Sequence, residues 1–513
     1  MSRRINEIIE LLESGDYSVI NNIFTFVAVI VLRIVLELLI SENDGLSEIV
    51  WHMPVHYFLF FLSLLLSIII LLSSLTGLQI TKVIRVVTTG FIITTTVPLI
   101  DLLLSALIGY RINYAYATPI STQDLLANFL LFFGNHQGAP PGIRIEILVA
   151  MIAIGYYVFV KTASLLKSVI SALLFYMIIF WIYFSLPFII KKLDDLFGLR
   201  FDLLPTLLIS VFVIISLQQL MYLLFKHNAR YFKAIIKDIR LTRLLHYFLM
   251  LGFGIITGYA TGRKSIAALS DLTDICLALH AIAFAWIFSV ITNNLADIPI
   301  DRITNKDRPT VTNEIPQAAY EKIAFLALAG ALVAALTAGP LVCLLIVCFM
   351  GNYYLYSMPP LRFKRVLFLS KAAIGMNSFL MILAGYVLAG NGIKAFPAGM
   401  TAYVLLSFTA CINFIDLKDY EGDKAVGICT LPVYMGLKNA KLLIGCFFVI
   451  SFALFPFFIK LPALLLPCII AGALLFYLTN KRTYNENALF GTYLASLALA
   501  LVYYSAVHLH FIH

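Results

Sequence analysis

The sequence predicts an all-α integral membrane protein, from its composition, the length of its apolar runs and the placement of its basic residues. Of its 513 residues, 61% are hydrophobic and only 12% are charged, and the mean hydropathy is +0.96. A soluble chain of this length needs far more charge to cover its surface. We therefore expect a polytopic protein whose helices cross the bilayer.

Apolar runs close to the roughly 20 residues that a membrane-spanning helix requires occur about fifteen times. Six precede residue 226 and nine follow it. The predicted spans lie at approximately 20–40, 55–78, 86–108, 146–163, 168–190, 203–225, 243–262, 271–291, 318–338, 340–357, 369–389, 398–415, 439–459, 461–479 and 488–508.

A basic segment separates the two sets of spans. We expect a six-span module of unknown role over 1–225, a basic linker helix over 226–242 and a nine-helix domain over 243–513. If the linker lies in the membrane interface, Tyr231, Phe232 and Ile235 would face lipid. A linker that only fixes the orientation of the chain is an equally open interpretation.

Two acidic stretches interrupt the apolar chain, each directly after a run long enough to span a bilayer. Residues three, four and seven apart share one face of an α-helix, and both stretches follow this spacing. The first contains Asn293, Asp297 and Asp301, and the second contains Asn413, Asp416, Asp419 (or Tyr420) and Asp423.

Carboxylates four residues apart repel each other on an ordinary helix, and they are costly next to a membrane core. A hard divalent cation removes this conflict. Mg²⁺ takes one or two carboxylates and gives its remaining positions to water and to phosphate oxygens. The two stretches therefore predict a magnesium site that holds a diphosphate.

Basic side chains suited to phosphate follow the acidic stretches. Lys306 and Arg308 lie just beyond the first stretch, and a loop over 356–365 contains Tyr356, Arg362 and Lys364. Arginine offers a fork of donors that matches phosphate, and lysine offers a point charge. The alternative is that these residues only orient the chain in the membrane.

Basic residues elsewhere lie mainly in loops between alternate spans, which is the positive-inside pattern. This pattern predicts a cytosolic amino terminus and cytosolic active-site loops, in the cell membrane if the source is prokaryotic. It also accounts for the net charge of +9, so we expect no nucleic-acid partner. The seven cysteines form no CxxC pair and are expected to be buried thiols.

Three motifs resemble those of the UbiA-type intramembrane prenyltransferase superfamily. N-N-L-A-D-I-P-I-D-R-I-T-N-K-D-R-P at 293–309 resembles its first signature, and D-L-K-D-Y-E-G-D at 416–423 resembles its second. Y-S-M-P-P-L-R-F-K at 356–364 resembles its third conserved loop. The resemblance covers roughly 230–510 and leaves 1–225 unassigned.

The resemblance implies a nine-helix UbiA-like transmembrane bundle with cytosolic cap loops, preceded here by about six further helices, and it implies Mg²⁺ as cofactor. Carried over, the metal ligands are Asp297, Asp301, Asp419 and Asp423, with Asp416 as a further catalytic carboxylate. The diphosphate contacts are Asn293, Lys306, Arg308, Tyr356, Arg362 and Lys364.

The implied activity is transfer of an isoprenyl group, with release of diphosphate, to a lipophilic acceptor. The partners are then an isoprenyl diphosphate, its acceptor and membrane lipids, and protein partners stay unknown. The residues of the first motif favour a donor with a long isoprenyl chain, such as geranylgeranyl or phytyl diphosphate. The acceptor is an aromatic ring, a quinone precursor or a glycerol-phosphate lipid.

Aromatic side chains near the third loop are candidates to stabilise the carbocation that ionisation leaves behind. They are Phe349, Tyr353, Tyr354 and Tyr356. Packing against lipid or within the core is the alternative interpretation for them.

Several interpretations stay open at this point. Asn294 replaces the usual Asp of the first signature, and 310–314 replaces the usual cap-loop sequence. Cyclisation of the diphosphate uses the same magnesium clamp as transfer does. A transporter or a catalytically inactive scaffold is a different class of protein, although transport sites usually lie near the bilayer midplane.

Two features of the amino-terminal module are also notable. Arg33 and Glu37 are four residues apart inside the first span, so we expect a buried ion pair between them. Asp101 lies inside the third span without an obvious local partner.

Overall fold

The computed structural model describes residues 2–15, 18–40, 52–109, 125–134, 139–197, 204–262, 269–304, 306–425 and 427–508. Every regular element in these ranges is helical. Within these ranges, fifteen helical segments are long and apolar enough to cross a membrane, six of them up to His227 and nine from Leu241 onward. The predicted number and division of the spans are thus confirmed, and the chain is a multi-pass membrane protein.

The chain divides into two compact units. The first unit comprises Met1–Ala229 with Ala268–Ser270. Its helices are α1 (Ser2–Ser14), α2 (Val19–Ile40), α3 (His52–Thr76), α4 (Ile80–Gly90), α5 (Thr96–Ile108), α6 (Leu125–Leu130), α7 (Pro141–Thr162), α8 (Leu165–Ile178), α9 (Leu186–Phe197) and α10 (Leu204–His227).

The third span is broken where the sequence predicted one helix. A 3₁₀ turn over Phe91–Thr95 separates α4 from α5. Thr94 Oγ1 donates to the Phe91 carbonyl at 2.8 Å, and Thr96 Oγ1 donates to the Ile93 carbonyl at 2.7 Å. Threonine hydroxyls that bond back to the chain compete with the α-helical pattern, which accounts for the turn.

Three buried charged groups of the first unit have partners. Arg33 Nε lies 2.8 Å from Glu37 Oε1, so the predicted ion pair is confirmed, and Arg33 Nη1 also pairs with Glu146 Oε2 at 3.0 Å. Asp101 accepts a hydrogen bond of 2.8 Å from the Gly142 amide. Its partner is therefore distant in sequence, which a local reading of the sequence missed.

The second unit comprises Arg230–Ala267 and Asp271–His513. Its helices are α11 (Ala229–Asp238), α12 (Leu241–Thr261), α13 (Leu269–Thr304), α14 (Gln317–Ala338), α15 (Pro340–Ser357), α16 (Leu367–Leu388), α17 (Ala398–Cys411), α18 (Tyr420–Ala425), α19 (Leu431–Met435), α20 (Leu437–Phe458), α21 (Leu465–Asn480) and α22 (Glu486–His508).

Helices α12 and α16 cross at very short range because each presents a glycine at the contact. A Cβ atom added to Gly254 would lie 1.9 Å from the Ile382 carbonyl oxygen, and one added to Gly385 would lie 2.0 Å from that of Leu251. Small residues let membrane helices approach closely, where packing rather than the hydrophobic effect holds them together.

The two acidic stretches have different backbones. Helix α13 continues beyond the predicted span to Thr304 and therefore carries the whole first stretch. Helix α17 ends at Cys411 and is followed by a 3₁₀ turn, Ile412–Leu417, before α18. The expectation that the second stretch lies on one continuous helical face is thus wrong.

The side chain of Asn413 explains the break. Its Nδ2 donates to the carbonyls of Thr409 and Ala410, each at 3.0 Å. An amide side chain that satisfies these carbonyls replaces backbone donors further along the chain, so the α-helix does not continue. The turn redirects the chain immediately before Asp416.

The linker helix also differs from the expectation. Helix α11 buries Ala234, Ile235 and Asp238 within the second unit, and only 8% of Ile235 is exposed. Ile235 therefore packs against protein and does not face lipid. The buried face brings an acidic side chain, Asp238, toward α13.

Candidate functional site

Asp297 lies at the centre of the first acidic stretch. Its Oδ1 accepts a hydrogen bond of 2.9 Å from Arg362 Nη2 and a shorter one from Lys364 Nζ. The three side chains are largely buried. The structure thus joins the first stretch to the third loop, although Arg362 and Lys364 lie 65 and 67 residues beyond Asp297 in the sequence.

Tyr356 links the two acidic stretches. Its hydroxyl lies within electrostatic range of both Asp416 and Asp297. The neighbouring Ser357 hydroxyl donates to Asn293 Oδ1 at 2.9 Å. Carboxylates from both stretches therefore face the same part of the unit, at the end of α15.

Arg308 is held by a second set of contacts. Its Nη1 donates to Asp238 Oδ1 at 2.8 Å and to Asn294 Oδ1 at 2.7 Å. Asn294 Nδ2 and the Tyr320 hydroxyl donate to the other oxygen of Asp238, at 2.5 Å and 2.6 Å. Arg308 Nε also lies 3.9 Å from Asp301 Oδ2.

The second stretch presents crowded carboxylates. Asp416 Oδ1 accepts from Lys371 Nζ at 2.6 Å, and both side chains are buried. Asp416 Oδ2 is buried and has no hydrogen-bond partner among the residues that the structure describes. Desolvation and the nearby charges of Asp416 and Asp419 raise the pKa of Asp423 to about 6. This part of the site therefore favours a cation.

Three arginines lie close enough to repel one another. Desolvation, Arg243 and Arg308 lower the pKa of Arg240 to about 10, so its guanidinium is still charged at neutral pH. Desolvation also lowers the pKa of Lys364. Basic groups crowded in this way favour a multivalent anion.

The donor set fits a hard divalent cation in chemistry, but its ligands are not assembled around a common point. Within the described ranges, no three His, Cys, Asp or Glu side chains converge as metal ligands do. Asp297 and Asp416 are each held by protein cations instead. The second oxygen of Asp416 is buried without a hydrogen bond, and desolvation and neighbouring negative charges raise the pKa of Asp423. The carboxylates of the second stretch would therefore be stabilised by a bound cation.

The aromatic candidates divide into two groups. Phe349 and Tyr353 have ring centroids 5.1 Å apart, and Tyr353 contacts Tyr356 at 6.3 Å. Trp286 joins them, 5.5 Å from Tyr353. Tyr354 is 44% exposed on the surface and does not belong to this cluster. The cluster adjoins the acidic site through Tyr356.

A small apolar cavity of about 70 Å³ lies inside the second unit. Its lining includes Met250, Phe408 and Tyr493, and also Cys411, which immediately precedes the turn at 412–417. The apolar space therefore adjoins the second acidic stretch.

Sequence reasoning missed three contributors to this site. Lys371 is the single charged residue within α16, and such a residue in a spanning helix was a usable signal. Asp238 and Arg240 were assigned to a linker, because only tertiary packing places them beside Arg308. Conversely, Lys306 is exposed, and among the residues that the structure describes no contact places it beside the acidic side chains.

These features define a polytopic helical membrane protein with an acidic and basic site at the ends of its helices. The model of the UbiA prenyltransferase family matches residues 251–502. This segment contains both acidic stretches, Arg308 and the third loop. Over this segment, the sequence matches the UbiA prenyltransferase family.

Curated relatives are similar over part of their lengths. Homogentisate solanesyltransferase of Arabidopsis thaliana is 28% identical over 39% of this chain and 57% of its own length. The 2-acyl-4-prenylphloroglucinol 6-prenyltransferase of Humulus lupulus is 28% identical over 38% and 53%. Digeranylgeranylglyceryl phosphate synthase of Methanobrevibacter smithii is 26% identical over 37% and 69%. The chain spans little more than half the length of the first two.

Solved structures are similar as well. A UbiA homologue from Archaeoglobus fulgidus bound to GPP and Mg²⁺ aligns with 54% of this chain and 99% of its own, with a TM-score of 0.45 and 22% identity. The same protein bound to DMAPP and Mg²⁺ gives a TM-score of 0.44 and 21% identity.

Proposed function

We propose that the protein is a membrane prenyltransferase that moves an isoprenyl group from its diphosphate to a lipophilic acceptor. The observation that carries this proposal is that one buried carboxylate of each acidic stretch, Asp297 and Asp416, is paired with a basic side chain. The three crowded arginines supply the charge that an anionic leaving group requires. The family match over residues 251–502 and the named activities of the relatives support the same class of reaction.

In this proposal the ion pairs exchange partners when the substrate binds. Arg362 and Lys364 neutralise Asp297 before binding, and Lys371 neutralises Asp416. A magnesium diphosphate brings one cation and one polyanion, so each carboxylate and each basic side chain finds a new partner of opposite charge. The exchange conserves the charge balance of a partly buried site.

Magnesium would be held by Asp297 and Asp301 on one side and by Asp419 and Asp423 on the other. When bound, it would neutralise negative charge on the leaving diphosphate. Arg308, Arg362 and Lys364 would contact the phosphate oxygens directly. Asn293 and Tyr356 would position the diphosphate between the two stretches.

The isoprenyl chain would enter the apolar interior beside the second stretch. The cavity at Cys411 and the ring cluster of Phe349, Tyr353 and Tyr356 exclude water there. A dry aromatic environment protects a carbocation from capture by water and stabilises its charge. Asp416 or Asp301 would orient the acceptor or accept its proton.

We further propose a long-chain donor such as geranylgeranyl or phytyl diphosphate. The acceptor would be an aromatic ring, a quinone precursor or a glycerol-phosphate lipid. The names of two relatives, a homogentisate solanesyltransferase and a digeranylgeranylglyceryl phosphate synthase, refer to acceptors or products of these classes. The active-site loops and the amino terminus would face the cytosol.

The test uses membranes that contain the full chain, labelled geranylgeranyl diphosphate, Mg²⁺ and a native lipid extract. We expect a labelled lipid product whose formation stops when magnesium is chelated and in Asp297→Ala and Asp419→Ala. The mass of the product identifies the acceptor. A labelled hydrocarbon instead would indicate cyclisation, and absence of turnover with every chain length would reject the enzyme proposal.

A further inference from the structure

We propose that the first unit binds a single-chain lipid with a neutral hydrogen-bonding head group, an isoprenoid alcohol or a molecule of that chemistry. A cavity of about 280 Å³ lies wholly within this unit. Ligand cavities in proteins are mostly apolar, with a few polar groups that fix the orientation of the ligand. The cavity has this composition and no role in the proposed transfer reaction.

The shape of the cavity favours a chain. Its lining on α3 recurs every four residues, at His56, Phe60, Leu64, Ile68 and Leu72. At 1.5 Å per residue this face extends for about 24 Å. That length is most of the roughly 30 Å of bilayer hydrocarbon.

Helix α7 forms a matching wall. Ile143, Ile147, Ala150, Ile154 and Tyr157 line the cavity at intervals of three and four residues. This face extends over about 21 Å by the same rise per residue. Lining residues therefore extend along two long helix faces, which suits a linear hydrocarbon better than a compact ring system.

The charged side chains of the lining, Arg33 and Glu146, lie together at one end. Arg33, Tyr57, Thr94 and Glu146 line the cavity there. Arg33 Nη1 donates to the Thr94 carbonyl at 2.9 Å and to Glu146 Oε2 at 3.0 Å. The Tyr57 hydroxyl donates to Glu37 at 2.6 Å. An amphiphile would place its head at this end and its chain along the aromatic and aliphatic walls.

The charges at this end select a neutral head group. The Arg33 guanidinium is already bound by two carboxylates, Glu37 and Glu146. An anionic head would meet these carboxylates, and a charge in this part of the membrane is costly unless it is paired. A hydroxyl head can donate to a carboxylate and accept from Arg33. The first unit therefore should not bind an isoprenyl diphosphate.

The test is photocrosslinking of the full chain in lipid nanodiscs with a geranylgeraniol that carries a diazirine near the end of its chain. We expect crosslinked peptides from α3 and α7. Unlabelled geranylgeraniol should displace the label, and geranylgeranyl diphosphate should do so at least tenfold less effectively. Labelling that neither compound displaces, or equal displacement by both, would overturn the proposal.

A matched pair of variants on α7 separates the cavity from the lipid surface. Ala150→Trp fills the cavity, whereas Ile152 is 64% exposed on the same helix and is replaced by Trp as the control. We expect crosslinking to fall more than fivefold in Ala150→Trp and to stay unchanged in Ile152→Trp. Equal labelling in both variants would show that the probe only samples the bilayer. If Ala150→Trp does not fold, the competition experiment on the unmodified protein decides by itself.

Discussion

At the scale of single residues, the charge partners of the carboxylates determine which substitutions matter. Asp297→Asn keeps the size of the side chain but removes the charge that Arg362 and Lys364 share. We expect transfer to fall by roughly 10²-fold or more, since the site loses a charged contact to the reacting groups. The measurement is the rate of product formation at saturating magnesium.

Asp307→Asn is the matched control for this change. Asp307 is exposed in the same loop as Arg308, so the same loss of charge should leave the rate within about twofold. A comparable loss of activity in both variants would indicate that overall charge, rather than the position of Asp297, governs the rate.

Asn294 stands where the resemblance of the first motif predicts Asp, and Asp238 gives a physical reason. The two side chains are in direct contact and both hold Arg308. Asn294→Asp would place two carboxylates side by side, and Asp238→Asn would remove the charge that fixes Arg308. Like charges in contact repel, and an arginine without its carboxylate partner loses its fixed position. We therefore expect each single change to reduce transfer about tenfold or more.

The exchanged pair Asp238→Asn/Asn294→Asp restores one carboxylate and one amide beside Arg308. We expect it to recover activity relative to both single variants, with a coupling of about 1–3 kcal/mol between the positions. The measurement is a double-mutant cycle on kcat/KM for the diphosphate. Additive losses would show that the two residues do not act together on Arg308.

At the scale of helices, hydropathy predicted the membrane spans, because these depend only on the length of the apolar runs. The fifteen spans follow because apolar runs of sufficient length are required to cross a bilayer. The turn at 412–417 was missed because it depends on where the Asn413 side chain bonds. Asp238 and Lys371 joined the site through helix packing, which a pattern within one segment does not contain.

The glycine contact between α12 and α16 predicts a large effect of a single methyl group. Gly254→Ala would collide with the Ile382 carbonyl, so we expect a destabilisation of about 1–3 kcal/mol from overpacking. Gly351 on α15 has no atom within 4 Å of an added Cβ. Gly351→Ala should therefore lose no stability, and thermal unfolding in detergent compares the two variants.

At the scale of the whole molecule, the two units have separate cores. Phe180 is completely buried in the first unit, and Leu475 is completely buried in the second. Each unit also encloses its own cavity. Residues that share one core unfold together in a single cooperative transition. Chains with two cores therefore commonly unfold in more than one transition. The family match covers only the second of these units.

The distribution of cysteines makes this independence measurable, because all seven lie at or beyond position 276 and thus within the second unit. Cys468 is only 4% exposed, so its reaction with a maleimide on heating reports unfolding of the second unit. Phe180→Ala should destabilise the first unit by about 3–5 kcal/mol and leave the labelling temperature of Cys468 unchanged. Gly254→Ala should lower that temperature. Equal shifts in both variants would show that the chain unfolds as one cooperative body.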